Sequence, residues 1–189
     1  VQLLRELLRS FPVSPQSVEF QPVGGRLEFY VRNWSLLTED AWVLEVLKMG
    51  YKLSFREMVP LTNRPKFIKL PKDPEKRQAL LDTVDSLLEK QIVELVRDVS
   101  TLGFYSHMFL VPKPGQKKWR CILDLSVLNT YLQKEKFKME TIDTIREEIR
   151  QGEWITSLDF TDAYFHVPIF KGHRKFMRFA VAGTVMQFR

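Results

Sequence analysis

Cys121 is the only cysteine among the 189 residues. An internal disulfide is therefore excluded, and a reducing compartment is expected: an intracellular, cytoplasmic or nuclear protein that is not secreted. The histidines are also few and scattered, at His107, His166 and His173, so no Cys/His spacing for zinc occurs. No stretch approaches the roughly 20 apolar residues of a membrane-spanning helix. The opening VQLLRELLRSFP has apolar positions at helical spacing, but Arg5, Glu6 and Arg9 interrupt it. It reads as a short amphipathic helix and not as a signal peptide. Repeats and low-complexity tracts are lacking as well.

What remains is an ordinary globular composition, 44% hydrophobic and 28% charged, enough for one compact domain or one domain with an appended segment. The net charge of +6 suits a polyanion partner such as nucleic acid without requiring one. A first residue Val1 in place of Met reads as a piece of something longer.

The chain falls into three stretches. Up to about Arg64 it is irregular, punctuated by Pro12, Pro15, Pro22 and Gly24-Gly25, with aromatic residues from Leu27 to Tyr51. Within this stretch Asp40 is a suitable N-cap for a helix that places Trp42, Val43, Val46 and Leu47 on one face, and Gly50 ends it. Phe29, Tyr30, Trp34 and Trp42 are expected in the core, the alternative being stacking on single-stranded bases. Next, Asp73 followed by Pro74 is a strong helix start, and Leu80, Leu81, Val84, Leu87 and Leu88 carry the helix to about Lys90. In the third stretch HMFLVPKP and KWRCILDL read as an antiparallel hairpin with Lys113, Lys117 and Lys118 at its tip. Thr141 caps a helix through Arg150, Gly152 releases the chain into a strand WITSLD, and a short helix follows. KFMRFAV and TVMQFR then form a hairpin around Ala182-Gly183. The pattern is α+β with an antiparallel sheet packed on helices.

The segment WITSLDFTDAYFHV, Trp154–Val167, carries the densest chemistry. Asp159 ends an apolar strand, where a carboxylate suits a divalent metal because hard cations take oxygen ligands. From local sequence alone a cap for the following turn is the simpler reading of Asp159. Lys113 and Arg120 lie on the two strands of the hairpin near its tip, as a point charge and a planar fork able to share one anion. A solvated basic tip is the simpler local reading there.

The combination resembles a known family. FLVPKPGQKKWRCILDLSVLN followed by SLDFTDAYFHVPI is similar to the fingers and first palm motif of retroelement reverse transcriptases. With VGGRLEFYVRNW and EKFKMETIDTIREEIRQGEW it looks most like the tyrosine-recombinase (DIRS-type) retrotransposon polymerases, with gypsy-like elements next. The resemblance implies an N-terminal extension over residues 1–70, partly helical, and fingers with a partial palm over 71–189. It implies RNA-directed DNA polymerisation with two Mg²⁺ ions, a deoxynucleoside triphosphate and an RNA or DNA template-primer, and no membrane. Asp159 is then the first catalytic carboxylate and metal ligand, with the Phe160 carbonyl on the nucleotide-bearing metal. Asp162 and Ala163 offer backbone N–H groups to the triphosphate, Tyr164 is the steric gate under the sugar, and Lys113 and Arg120 grip the triphosphate. Asp124 and Asn129 belong to the motif that positions the fingers.

The match has departures. Ser126 stands where the family commonly has Arg, which bears on template handling. The Leu-Pro-x-Gly segment, the Tyr-x-Asp-Asp hairpin with the remaining carboxylates, the thumb and RNase H all lie beyond Arg189 in the family. Asp143, Glu147, Glu148 and Glu153 read as a solvated helix face beside Arg146 and Arg150, not as substitutes. The chain is expected to be inactive alone, since one aspartate cannot hold two ions. A non-enzymatic nucleic-acid-binding module is the alternative. Phe179, Val181, Val185 and Met186 are expected to lack cover along an unpaired sheet edge.

Overall fold

A computed structural model describes residues 21–189, apart from positions 113, 114, 116–118, 137–140, 155 and 157 and the side chain of 148. The amphipathic helix expected near the start lies outside the described residues. In chain order the helices are α1 (Val31–Trp34), α2 (Ala41–Met49), α3 (Pro74–Glu89), α4 (Ser126–Asn129) and α5 (Ile142–Glu148). The strands are β1 (Phe67–Ile68), β2 (Val93–Leu95), β3 (His107–Pro112), β4 (Trp119–Asp124), β5 (Arg178–Val181) and β6 (Thr184–Phe188). Short 3-10 helices occupy Arg26–Tyr30, Ala163–His166 and Lys171–Phe176.

Local signals account for the helix ends. The Asp40 carboxylate accepts the N–H groups of Trp42 and Val43, and that of Asp73 accepts Glu75 N–H at 2.9 Å with Pro74 at the first helical position. Each pairing occupies an N–H that the helix itself cannot use. Thr141 and Thr144 cap α5 reciprocally, but this helix stops at Glu148, two residues before the expected Arg150.

A four-stranded sheet runs in the order β1-β5-β6-β2. β5 pairs parallel with β1 and antiparallel with β6, and β6 pairs antiparallel with β2. The β5–β6 hairpin turns through Ala182 and Gly183, whose φ of 48° and 82° are the two positive values a two-residue primed turn demands. β3 and β4 form a separate antiparallel hairpin, registered from His107 opposite Asp124 to Pro112 opposite Trp119. α3 packs against this hairpin and against β2, and Leu80 and Val84 meet Ile68, Ile92, Met108, Phe179, Met186 and Phe188 in the core.

The expectation of an uncovered C-terminal hairpin is overturned. Phe179, Val181, Val185 and Met186 are all buried. The two short strands β1 and β2, which carry little periodic signal, pair with the outer sides of β5 and β6 and make that hairpin the centre of the sheet. A second correction concerns Trp154–Asp159, which forms no strand at its described positions. Trp154 is 92% and Leu158 80% exposed. A strand is held by ladder partners, and among the described residues none lies alongside, so apolar composition alone does not secure it. The aromatic residues expected in the core are corrected too: Phe29, Tyr30 and Trp42 are exposed and Trp34 is half-buried. The side of α2 that faces the protein is narrow and closes on Leu47, leaving Trp42 to rest edge-on against Tyr51 at 6.5 Å.

The residues before Pro74 are bonded to later elements at several places. Tyr51 N–H donates to the Pro168 carbonyl at 2.7 Å, Phe170 N–H returns to the Tyr51 carbonyl at 3.0 Å, and Thr62 and Gly103 exchange both backbone bonds at 2.9 Å. Arg178 is buried on β5, where its guanidinium donates to the Thr101 carbonyl, the Thr101 hydroxyl and Gln187 Oε1. Arg174 reaches Glu94 of β2 at 2.9 Å.

His173 sits among Phe55, Phe170 and Phe176, and its Nδ1 accepts the Leu53 N–H at 3.0 Å. Desolvation first, then the nearby Lys175 and Lys52 charges, lower its pKa from the ordinary value of 6.5. The folded state thus prefers the neutral ring. Its contribution to stability is fully present above pH 6.5 and is lost as the pH falls through the lower folded value. Urea midpoints measured across this acid range are expected to fall less steeply for His173→Asn, which keeps an acceptor but cannot be protonated, than for the wild type.

Candidate nucleotide and nucleic-acid site

The Asp162-Ala163-Tyr164-Phe165 segment forms a tight turn because Asp162 takes a left-handed conformation, φ 59° and ψ 30°, which aspartate tolerates better than most residues. Phe165 N–H closes the turn on the Asp162 carbonyl at 2.9 Å. The Asp162 carboxylate meets Lys90 Nζ at 2.7 Å, just past the end of α3. The Phe165 ring anchors the turn by stacking on Phe188 of β6, centroids 6.0 Å apart and planes at 24°. Between these fixed points Tyr164 projects outward, 93% exposed.

A cavity of about 580 Å³ opens beside the turn, between α3, β4 and β6. Its floor is apolar, with Leu87, Met108 and Phe188, and its polar rim includes Lys90, Arg120, Asp162 and Arg189. Arg120 of β4 and Asp162 and Tyr164 of the turn, distant in sequence, thus line one cavity. Lys113 lies outside the described residues. Asp159 and Phe160 are exposed beyond the cavity lining, and Asp159 makes no hydrogen bond or ion pair among the described residues. Ala163 begins the 3-10 turn, also exposed.

Asp124 and Asn129 have local structural positions. Hydrogen bonds from Ser126, side chain and backbone, hold the Asp124 carboxyl below the usual carboxylate range, helped by the charge of His107. The Asp124 carboxylate therefore stabilises the start of α4, and Asn129 closes that helix through its N–H to Leu125 at 2.8 Å. Ser126 donates to Asp124 here and adds no charge to the surface. Burial raises the Cys121 thiol to about 11, so it is a packing residue and not a nucleophile at neutral pH.

Mg²⁺ requires near-octahedral oxygen ligation. Among the described residues no three His, Cys, Asp or Glu side chains gather to hold a metal. Asp159 has no ion pair among the described residues, but Asp162 is already neutralised by Lys90. One such carboxylate provides too few oxygens for two ions.

No protein-family model matches the chain. It is 22% identical over 164 residues to the retrovirus-related Pol polyprotein from transposon 412 of Drosophila melanogaster, covering 84% of this chain and 12% of that protein. Over 118 residues it is 32% identical to the Gag-Pol polyprotein of bovine immunodeficiency virus (strain R29), covering 62% of this chain and 8% of that protein. The chain is related to retroelement Pol polyproteins. It spans about a tenth of the length of these relatives. Its fold matches the prototype foamy virus protease-reverse transcriptase, with a TM-score of 0.53 and 18% identity over 72% of this chain and 18% of that one. The CSH mutant of the same foamy virus protein gives 0.54 and 19% over the same shares. The α+β arrangement described above is thus the reverse-transcriptase fold. Among the described residues no helix is long and apolar enough to cross a membrane.

Two further features of the surface bear on a Pol-related chain. In the sequence Lys90 reads only as the end of a helix, since nothing local ties it to Asp162. The other was legible: no acidic residue occurs from Met58 through Lys72, a stretch holding Arg64, Lys66, Lys69 and Lys72. All four are exposed and make no ion pair among the described residues. At its end Lys76 lies over the Trp119 ring of β4, 4.8 Å from the centroid, which brings the basic run up to the hairpin. Asp143 faces Arg146 at 3.9 Å on the solvated side of α5.

Proposed function

We propose that the chain is the fingers and first palm segment of a retrotransposon reverse transcriptase, of the DIRS type by its wording, and that it is inactive as a polymerase by itself. The observation that carries this reading is the cavity shared by Arg120 of the β3–β4 hairpin and Asp162 and Tyr164 of the turn. In this reading Arg120 and Lys113 bind the triphosphate, Asp162 and Ala163 present backbone N–H groups to it, and Tyr164 lies against the sugar. Asp159 and the Phe160 carbonyl serve as part of a Mg²⁺ site that other carboxylates complete. Substrates are a deoxynucleoside triphosphate and an RNA or DNA template-primer.

The acid-free run from Arg64 to Lys72 supports a nucleic-acid partner, because unpaired surface cations gain most from displacing counterions on phosphates. It ends next to the first turn of α3, about 24 Å along that helix from Lys90 at roughly 1.5 Å per residue. The expected result is binding of single-stranded RNA and DNA that weakens steeply with salt, measured by fluorescence anisotropy. Reversing Lys66, Lys69 and Lys72 to Glu is expected to flatten the log–log salt slope by about 2, at roughly 0.7 per phosphate contact. Absence of binding by the wild type even at low salt counts against the nucleic-acid reading. Primer extension with Mg²⁺ is expected to be absent, and robust extension by the purified chain would overturn the inactivity. The exposed Phe29, Tyr30 and Trp42 favour a second reading, a binding module without catalysis, in which these rings stack on bases.

A further inference from the structure

The turn that carries Tyr164 belongs to a closed ring of bonds running through five residues. Lys90 Nζ holds the Asp162 carboxylate at 2.7 Å. The Asp162 carbonyl accepts Phe165 N–H, the Phe165 carbonyl accepts Gly25 N–H at 2.8 Å, and the Lys90 carbonyl accepts Gly24 N–H at 2.9 Å. The covalent bond between Gly24 and Gly25 completes the circuit. Neither glycine is replaceable without strain. A Cβ on Gly24 would stand 1.9 Å from the Gln91 carbonyl oxygen and 2.7 Å from Ile92 N, both backbone atoms. Gly25 has φ 68°, and a Cβ there would stand 3.2 Å from Pro168 Cβ. Tyr164 lies inside this ring in sequence and outside it in space, since its neighbours are held and its side chain is solvated.

We infer that Lys90 and the Gly24-Gly25 pair are positioning residues for the Tyr164 turn. The left-handed Asp162 is strained relative to the common backbone regions. The ion pair and the three backbone bonds over-determine it, so the direction in which Tyr164 leaves the backbone is set by α3 and by a segment nearly 140 residues earlier in the chain. Lys90 also neutralises Asp162 on the cavity rim, and Arg120 on the same rim makes no ion pair among the described residues. The inference deepens the polymerase reading, because it names what would hold the residue facing the sugar.

The test needs no nucleotide, so its failure and the failure of the polymerase reading are separate events. The full 189-residue protein is labelled with 3-fluorotyrosine, and the Tyr164 resonance is assigned with Tyr164→Phe. Lys90→Met is expected to shift that resonance while those of Tyr105 and Tyr131 stay in place, and Lys90→Arg is expected to restore it. Hydrogen exchange of the Phe165 amide is expected to accelerate about fivefold in Lys90→Met, the scale of one modest ion pair. Gly24→Ala is expected to accelerate exchange at Gly25 and Phe165 together. Should that variant fail to fold, the Lys90 pair of variants decides alone. An unmoved Tyr164 resonance and unchanged Phe165 exchange in Lys90→Met would overturn the inference, as would a shift that Lys90→Arg fails to reverse.

Discussion

Phe179→Ala should lower stability by about 3–5 kcal/mol, the range for removing a fully buried aromatic side chain, and the melting temperature by roughly 10 °C for a chain of this size. The residue is completely inaccessible to solvent and stands on β5, the strand buried on both faces. Its ring meets Phe188 with centroids 5.7 Å apart, and Phe188 in turn carries Phe165 of the turn beside the cavity. Truncation therefore removes apolar contacts, leaves a void that rigid neighbours fill only in part, and loosens the support under Phe165. Trp154→Ala offers the contrast. Although Trp154 is the larger residue, its exposure leaves little to lose, and its effect should stay within about 0.5 kcal/mol. Thermal and urea unfolding of the two variants side by side measure the difference. Equal losses would contradict the burial described for either residue.

The second large effect is expected at Gly50. This residue ends α2 with φ 89° and ψ 156°, a combination that is essentially restricted to glycine. A Cβ there would lie 2.5 Å from Phe170 N and 2.6 Å from the Ile169 carbonyl carbon, both backbone atoms with no freedom to swing away. Gly50→Ala should cost about 3 kcal/mol, combining backbone strain with overpacking. The displacement would act on the Tyr51 bonds to Pro168 and Phe170, which tie the N-terminal helices to the segment following the Tyr164 turn. Gly183→Ala separates the two causes. Its φ is 82°, but nothing lies within 4 Å of an added Cβ, so only the conformational cost of about 1 kcal/mol remains. Urea midpoints for both variants check the prediction, and comparable losses would mean that the close approach at Gly50 is unimportant.

Much of this protein is legible in its sequence. Asp73-Pro74 announces α3 because the cap and the missing proline N–H are local features. The β3–β4 hairpin shows in alternating apolar residues bounded by Pro114 and Gly115, and the β5–β6 turn shows in Ala182-Gly183. The order of helices and hairpins, and with it the α+β class, follows from such signals, each acting within a few residues.

Other features depended on partners far away in sequence. β1 and β2 are two and three residues long, too short for a period to register, yet their pairing turns the β5–β6 hairpin from an edge into a centre. Trp154–Asp159 reads as a strand from its composition, but a strand exists only with a ladder partner, and none lies beside its described residues. Trp42 and Phe179 are both large and apolar, and only packing made one a surface residue and the other the heart of the core. At the candidate site, Asp162 could be named from its motif, whereas the lysine that neutralises it could not. Local propensity and turn chemistry are thus written in neighbouring residues. Strand pairing, burial and the Lys90–Asp162 contact belong to the tertiary structure, because each is a meeting of groups that the chain alone leaves far apart.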